Sequence, residues 1–396
     1  MAQLPDGDPA PADGSLPASA LTVEAPLSLY VHVPFCRTRC GYCDFNTYTP
    51  SELGDLSPDT YLGAAHAELD LASRILGERP VETVFFGGGT PTMLPAEALT
   101  GLLAAIDERF GLVPGAEVTT EANPDTLTPA YLAQLREGGF TRLSLGFQSA
   151  VPEVLAVLER VHTPRRGLDA AHWARNAGFE HISLDLIYGT PGESMEDWRT
   201  SLDAVTATPV DHVSAYSLIV EKGTRLALQV RRGEIPMPDD DDLADKYLVA
   251  DEALTALGFV NYEVSNWARP GGECRHNLAY WRGHDWWGIG PGAHSHIGGV
   301  RFWNRKHPRS YAGSLAEGES PALAREVLGD DDRRVERVLL ELRLAEGLDL
   351  GVLTPSELAR VDEMVRQGLV VRSETHLQLT TRGRLLADGV IRDLLD

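Results

Sequence analysis

The stretch "VHVPFCRTRCGYCDFNTY", residues 31–48, places three cysteines within eight positions. They are Cys36, Cys40 and Cys43, in the spacing C-x3-C-x2-C, and the remaining cysteine of the chain, Cys274, lies far away in sequence. Three kinds of site are compatible with such a group. These are a buried apolar cluster of thiols, a structural zinc site and an iron–sulfur cluster.

The residues around the cysteines favour the iron–sulfur interpretation. Arg37 and Arg39 make the loop too polar for an apolar cluster. A structural zinc site needs four ligands, so Cys274 or a histidine would have to complete it. In a [4Fe–4S] cluster, three thiolates on one loop can bind three of the four irons. The two arginines would help to keep the thiols ionised, and Gly41 lets the backbone fold closely. The fourth iron is then open to a ligand that is not protein.

Outward from this loop, strand-like runs alternate with helical patterns such as residues 59–76 and 95–110. Six runs are strand candidates: residues 27–33, 82–88, 117–122, 142–149, 181–189 and 212–220. This alternation predicts a parallel α/β sheet. Several of the runs end in polar or glycine-rich segments, "FGGGTP", "TEANPD", "GFQS" and "DLIYGTPG". Ligand sites in such folds lie at the carboxyl ends of the strands, so we expect the site there.

Composition and the order of helix and strand patterns predict four segments. Residues 1–25, rich in Pro, Ala, Gly and Asp, read as a disordered tail and not as a signal peptide. Residues 26–265 are the expected α/β core, and residues 266–329 a connecting region that carries "HNLAYW". Residues 330–396 have a winged-helix-like order of two helical patterns, a hairpin and a final helix. The acidic run at 238–242 is expected to be the first turn of a helix and not a calcium site.

Charge and cysteine usage exclude several classes of function. The formal net charge of −23 disfavours loose binding to nucleic acid or anionic lipid. Residues 330–396 contain 14 Asp and Glu against 10 Arg and no Lys, so we expect packing or partner contact there and no nucleic acid. The chain shows no apolar run that could span a bilayer. Four cysteines, three of them clustered, indicate a reducing cytoplasm.

The cysteine spacing, with an aromatic residue before the third cysteine, resembles that of the radical S-adenosylmethionine (SAM) enzymes. In them, SAM chelates the open iron, and electron transfer from the cluster cleaves SAM to a 5′-deoxyadenosyl radical. "FFGGGTP" resembles their glycine motif, whose backbone N–H groups meet the amino acid end of SAM. "LYVHVPFC", "TEANPD", "LSLGFQS", "RVHT", "LDLIYGTPGES" and "CRHNLAYW" resemble the branch of oxygen-independent coproporphyrinogen III dehydrogenase and the haem chaperones, from about residue 27 to the C-terminus.

The resemblance implies an α/β fold, a partial (β/α)6 TIM-type barrel with a small C-terminal winged-helix-like α+β domain. It also implies SAM contacts by Tyr30, Tyr42, Gly88, Gly89, Thr90, Glu121, Gln148, Arg160 and Asp185. In the dehydrogenase, Gln148, Arg160 and Asp185 correspond to residues that touch a second SAM. Here Arg160 and Asp185 could instead form an ion pair with each other. Metal ligands would be Cys36, Cys40 and Cys43.

Two features favour the chaperones over the dehydrogenase. The dehydrogenase motif has a further cysteine two residues after the third, where this chain has Phe45. "HNLAYW", residues 276–281, resembles a motif of the chaperones. His276 is the first candidate for a haem ligand and Cys274 the second, with Tyr280 and Trp281 able to stack on a porphyrin. The histidines of "GAHSH" at 294 and 296 are further candidates.

The sequence therefore predicts a haem chaperone on a radical SAM scaffold, with a [4Fe–4S] cluster, SAM, and haem as cargo. The alternative is oxidative decarboxylation of porphyrinogen propionates by a radical SAM enzyme. The expected partners are acceptor haemoproteins, for which the resemblance suggests respiratory proteins, with membrane contact only through them. A homodimer is compatible with the resemblance.

Overall fold

The computed structural model describes residues 6–22, 25–54, 56–160 and 162–396. The strands of the main sheet are β1 (Asp8–Pro9), β2 (Leu27–Val33), β3 (Val81–Gly88), β4 (Leu112–Ala122), β5 (Arg142–Gln148), β6 (His181–Tyr188), β7 (His212–Ser217), β8 (Val260–Glu263), β9 (Asn266–Ala268), β10 (Asp285–Ile289), β11 (His294–Ile297), β12 (Val300–Asn304) and β13 (Ala322–Val327). A smaller sheet contains β14 (Leu348–Asp349), β15 (Val370–Arg372) and β16 (His376–Leu379).

The helices are α1 (Pro50–Leu53), α2 (Pro58–Leu76), α3 (Ala96–Phe110), α4 (Pro129–Glu137), α5 (Pro152–Val157), α6 (Pro164–Asn176), α7 (Met195–Thr206), α8 (Arg225–Arg231), α9 (Asp240–Ala256), α10 (Arg275–Trp281), α11 (Pro308–Ala316), α12 (Asp330–Glu341), α13 (Pro355–Arg366), α14 (Thr381–Leu385) and α15 (Ala387–Leu395). The acidic run at 238–242 caps and opens α9, as its charge predicts, because Asp239 accepts the N–H of Asp242.

Six parallel strands, β2 to β7, lie side by side in chain order and confirm the partial barrel. Beyond β2 the sheet continues through β10 to β13 and β1, and beyond β7 through β9 and β8. No pairing in the described part of the chain joins β1 to β8, so the barrel stays open. The connecting helices cover the outer face, where strand residues such as Val84, Leu143 and Leu184 are buried.

Side chains on the inner face recur at every second position, as the pleat requires. Their registers align across neighbouring strands: Glu121 pairs with Ser144, and Gly146 pairs with Asp185. The strands thus present rows of polar groups to the inside of the barrel, while the residues between them enter the apolar core.

Residues 266–329 add β9 to β13 to the main sheet and place α10 against β3 and β10. The C-terminal residues form their own apolar cluster, which includes Val338, Val361 and Leu377. The predicted final helix is divided into α14 and α15, because Leu386 leaves the helical conformation at φ −117° and ψ 21°. The segment boundaries at 26–265, 266–329 and 330–396 stay predictions. No helix in the described ranges is both long and apolar enough to cross a membrane.

The disordered tail predicted for residues 1–25 is corrected for residues 6–22, while residues 1–5 and 23–24 lie outside the described residues. Strand β1 pairs with the edge strand β13, Asp8 opposite Arg325. Ala20 is buried, with its carbonyl against the Gly298 turn. Composition could not predict this order, because it depends on an exposed sheet edge more than 300 positions away.

Candidate functional site

A cavity of about 840 Å³ occupies the inside of the open barrel. It extends from the loops after the strands, including the cysteine loop, to helix α10. The structure brings most of the predicted site residues into this one cavity, and Trp281, His294 and His296 are the exceptions. Those in the cavity are Tyr30, Cys36, Cys40, Tyr42, Cys43, Gly88, Gly89, Thr90, Glu121, Gln148, Arg160, Asp185, Cys274, His276 and Tyr280. The side chain of Trp281 instead lies close to Glu263.

Backbone hydrogen bonds shape the cysteine loop. The N–H of Cys36 donates to the carbonyl of Tyr48 at 3.0 Å, and the N–H of Tyr48 donates to Pro34 at 2.8 Å, so the two ends of the loop are held together. Within it, the N–H of Cys43 donates to the carbonyl of Cys40 at 3.2 Å. The three thiols are free and half-buried, and burial raises the pKa of Cys43 to about 11.

The donor set fits an iron–sulfur cluster better than a single metal ion. In the described part of the chain, no three His, Cys, Asp or Glu side chains converge where one ion could be held. In a cubane each thiolate binds a different iron, so convergence on one point is not required. Three half-buried thiols on one loop, facing a cavity, are therefore the arrangement that such a cluster needs.

Among the described contacts, the arginine that reaches a cysteine thiol is Arg160, and neither loop arginine makes such a contact. Its Nη1 lies 3.4 Å from the Sγ of Cys40, and its Nη2 donates to the carbonyl of Gly146 at 3.1 Å. Arg39 turns away to Glu52, at 3.0 Å. Arg160 forms no direct ion pair with Asp185 among the described contacts. The positive charge that the sequence placed beside the thiols at Arg39 is thus supplied by Arg160, more than 100 positions away.

The glycine motif serves the cysteine loop directly. The N–H of Gly89 donates to Val33 at 2.8 Å, and the N–H of Thr90 donates to Phe35 at 2.8 Å. A Cβ at Gly89 would lie 2.5 Å from the carbonyl oxygen of Phe35, so only glycine allows this approach. The N–H of Gly88 donates to Glu121 at 3.1 Å. Since these three donors have protein partners, their predicted contact with SAM stays a prediction.

Two half-buried carboxyl groups, Glu121 and Asp185, line the cavity. Burial, followed by the charge of Asp185, raises the pKa of Glu121 to about 7. Burial also raises the pKa of Asp185, although the hydroxyl of Ser144 donates to both its oxygens at 2.9 and 2.8 Å. A cationic ligand between them would favour the ionised carboxylates and so lower both pKa values again.

Several buried polar atoms in the cavity wall lack a partner. Among the described residues they are Oγ1 of Thr119, Oε1 of Gln148, Nε of Arg39, Nε of Arg160 and Nη1 of Arg142. Gln148 also has a φ of +59°, which is uncommon for a residue with a side chain. Buried polar groups in native proteins are normally satisfied, and strain concentrates at ligand sites. These residues therefore fit a polar ligand such as SAM.

Helix α10 closes the far end of the cavity and contains the candidate haem ligand. His276 is buried, and both ring nitrogens have partners: Nδ1 lies 2.7 Å from Thr83 Oγ1, and Nε2 lies 2.9 Å from the hydroxyl of Tyr280. Burial lowers the pKa of His276 to about 4, so the ring is neutral. The buried Cys274 lies 3.6 Å from Glu117. In this arrangement His276 is satisfied, so its predicted role as haem ligand requires release from one partner.

The other two histidines proposed for haem lie outside the cavity wall. The ring of His294 stacks on Trp303, with centroids 5.9 Å apart. The Nδ1 of His296 lies 3.2 Å from the carbonyl of His284. Neither is brought together with the cysteine loop.

Sequence reasoning missed several polar residues of the wall. Their signal was the period of two within the strands, because those on β4, β5 and β6 fall on the same alternate positions as the predicted site residues, and those on β7 alternate in the same way. They are Thr119, Ser144, Ser183, His212 and Ser214.

Comparison with known proteins agrees with this geometry. The Radical SAM superfamily model matches residues 30–205, and the HemN C-terminal domain model matches residues 328–386. A relative from Mycobacterium tuberculosis, named Heme chaperone HemW, is 54% identical over 380 residues, which cover 96% of this chain and 97% of the relative. The chain belongs to the HemW family of radical SAM proteins.

Other members and a solved structure extend this likeness. Heme chaperone HemW of Escherichia coli K12 is 34% identical, with 92% of this chain and 97% of the relative covered. The structure of coproporphyrinogen III oxidase (HemN) from Escherichia coli matches with a TM-score of 0.82 and 26% identity, over 95% of this chain and 92% of that one. The fold is therefore the radical SAM α/β fold of that enzyme, with an open barrel, as predicted.

Proposed function

We propose that this chain binds haem and transfers it to acceptor haemoproteins, and that it carries a [4Fe–4S] cluster and SAM. The likeness to relatives named Heme chaperone HemW over nearly the whole chain carries the proposal. The cavity supports it, because it joins the three thiols to unpartnered polar atoms in a volume suited to a cofactor.

The residues present have defined tasks in this proposal. Cys36, Cys40 and Cys43 would ligate the cluster, and Arg160 would stabilise the negative charge at Cys40. Glu121 would accept hydrogen bonds from the amino or ribose groups of SAM, with the remaining predicted contacts around it. Bound together, the cluster and SAM would supply one-electron chemistry. A respiratory acceptor, membrane contact through that acceptor, a homodimer and a cytoplasmic location stay predictions.

A second function competes, because the HemN fold covers 95% of this chain. The test is anaerobic turnover of reconstituted protein with SAM, a strong reductant and coproporphyrinogen III. In parallel, haem-loaded protein is mixed with an apo-haemoprotein, and haem transfer is followed by absorbance. We expect haem transfer and no decarboxylated porphyrinogen. Decarboxylated product, found by chromatography, would overturn the chaperone proposal in favour of the enzyme.

We expect SAM to bind several-fold more tightly at pH 7.5 than at pH 6. The pKa of Glu121 is about 7, so the carboxylate that would accept hydrogen bonds from the ammonium group forms across this range. Asp185, whose pKa is also raised, and the hydroxyl of Tyr30 face the same group. The measurement is calorimetric titration of cluster-loaded protein under anaerobic conditions.

The variant Glu121→Gln should weaken binding and flatten this pH dependence. Glu180→Gln, at an exposed surface pair, is the matched control and should behave as wild type. A pH dependence that survives in Glu121→Gln would remove Glu121 from the proposed SAM contacts.

A further inference from the structure

The mouth of the cavity exposes several large apolar or aromatic side chains beside charged ones. Four large apolar or aromatic side chains that line it are exposed: Phe45 by 60%, Met93 by 37%, Tyr216 by 44% and Ile219 by 64%. They come from β7 and from the connections after β2, β3 and β7. Exposed apolar residues that converge on one opening mark a binding surface more often than isolated ones do.

This apolar rim, defined as Phe45, Met93, Tyr216 and Ile219, has a packed base. Leu218 and Ile187 are buried, line the same cavity and belong to one apolar cluster. Tyr42 packs against that cluster. The support beneath Ile219 is thus fixed by core packing, and a flat ligand would meet a preformed surface.

One cation at this opening makes no ion pair within the part of the chain that the structure describes. The other arginines of the cavity wall are engaged, Arg39 with Glu52, Arg142 with Glu117 and Arg160 with Cys40. Arg37 is exposed, lines the cavity and makes no ion pair with any described residue. Asp44, Asp125 and Glu221 also line the cavity, so the opening suits an apolar ligand that places one carboxylate against Arg37, and not a polyanion.

We propose that the apolar rim is the seat of the haem macrocycle and that Arg37 pairs with a propionate. This inference rests on the proposed function and adds where the haem binds. Haem is a planar, largely apolar ring, which matches the rim, and one of its two propionates matches Arg37, which makes no ion pair with any described residue. An open mouth also leaves haem within reach of an acceptor. Helix α10 lies at the opposite end of the cavity, where His276 is buried with both ring nitrogens engaged.

The test is haem titration of the cluster-loaded full chain, followed by the haem absorbance band. The double variant Phe45→Ala/Ile219→Ala should weaken haem binding by on the order of tenfold or more. Arg37→Gln should weaken it by a smaller factor that shrinks at high salt. Val371→Ala removes another exposed apolar side chain, 52% exposed, from the C-terminal region and should leave haem binding unchanged. Iron content, measured in every variant, shows that the neighbouring cysteine loop is intact.

The possible results separate this inference from the proposed function. If the wild type binds no haem, the proposed function fails and the seat fails with it. If the wild type binds haem, the rim variants bind it equally well and His276→Ala loses it, the seat is overturned while the chaperone function stands. Weaker haem binding in the rim variants, with iron content and the Val371→Ala control unchanged, supports the seat.

Discussion

Replacing any one of Cys36, Cys40 and Cys43 by alanine is expected to abolish the stable iron–sulfur cluster. Each thiol supplies one of the three protein ligands, and two thiolates leave two irons without a protein ligand. Iron content after anaerobic reconstitution should fall from about four per chain towards zero. The broad visible absorbance should disappear with it.

Cys274→Ala provides a control within the same chain. Cys274 lines the cavity too, but its thiol is buried beside Glu117 and separate from the cysteine loop. This variant should retain its iron and its absorbance. A Cys40→Ala protein with an unchanged spectrum, or a colourless Cys274→Ala protein, would contradict the ligand assignment.

Glu117→Ala should lower the free energy of unfolding by about 3–5 kcal/mol, because it leaves the guanidinium of Arg142 buried without its partner. The Nε of Arg142 lies 3.0 Å from Glu117, and both side chains are buried. Glu117 also accepts the N–H of Arg275 at 3.2 Å and of His276 at 3.0 Å, at the start of α10. The pair thus anchors the helix that closes the cavity. Urea unfolding followed by circular dichroism measures the effect.

The exposed pair between Arg136 and Glu180 is the matched control, and Glu180→Ala should cost less than about 1 kcal/mol. Glu117→Ala/Arg142→Leu should recover part of the loss, because no buried charge remains unpaired. A Glu117→Ala protein as stable as the Glu180→Ala protein would refute the anchoring role.

The stability that Glu117 contributes should also depend on pH. Burial alone would raise its pKa, but Arg142 and the two helix N–H groups hold the pKa below the ordinary value of 4.5. A depressed pKa adds stability above the unfolded value, and this is lost as the pH falls through the folded value. The difference between wild type and Glu117→Ala should therefore shrink below about pH 4.5.

Local sequence was informative wherever a pattern is repeated along the chain. The six predicted strands all form. Apolar strand-like runs alternate with helical patterns along the chain, and this order is typical of a parallel sheet covered by helices. The capping residues of helices such as α9 act within one turn, so short-range patterns were sufficient. Clustered thiols in one loop likewise needed no tertiary information.

Contacts between distant segments could not be predicted in this way. Arg160 lies beside Cys40, and Glu117 holds the start of α10, although each pair is separated by more than 100 residues. The ordering of residues 6–22 on β13 is of the same kind.

By itself, the sequence determined the three clustered thiols and the alternate strand positions that face the inside of the barrel, because these follow from spacing and from the two-residue period of strands, and its resemblance to the radical SAM enzymes implied the scaffold. The tertiary structure decided how those residues are used. It satisfied both nitrogens of His276 inside the core, left Arg37 without an ion pair among the described residues and gathered the apolar rim at the mouth. The physical reason is that hydrogen bonding, charge pairing and exposure are properties of neighbours in space, which strand order and register set.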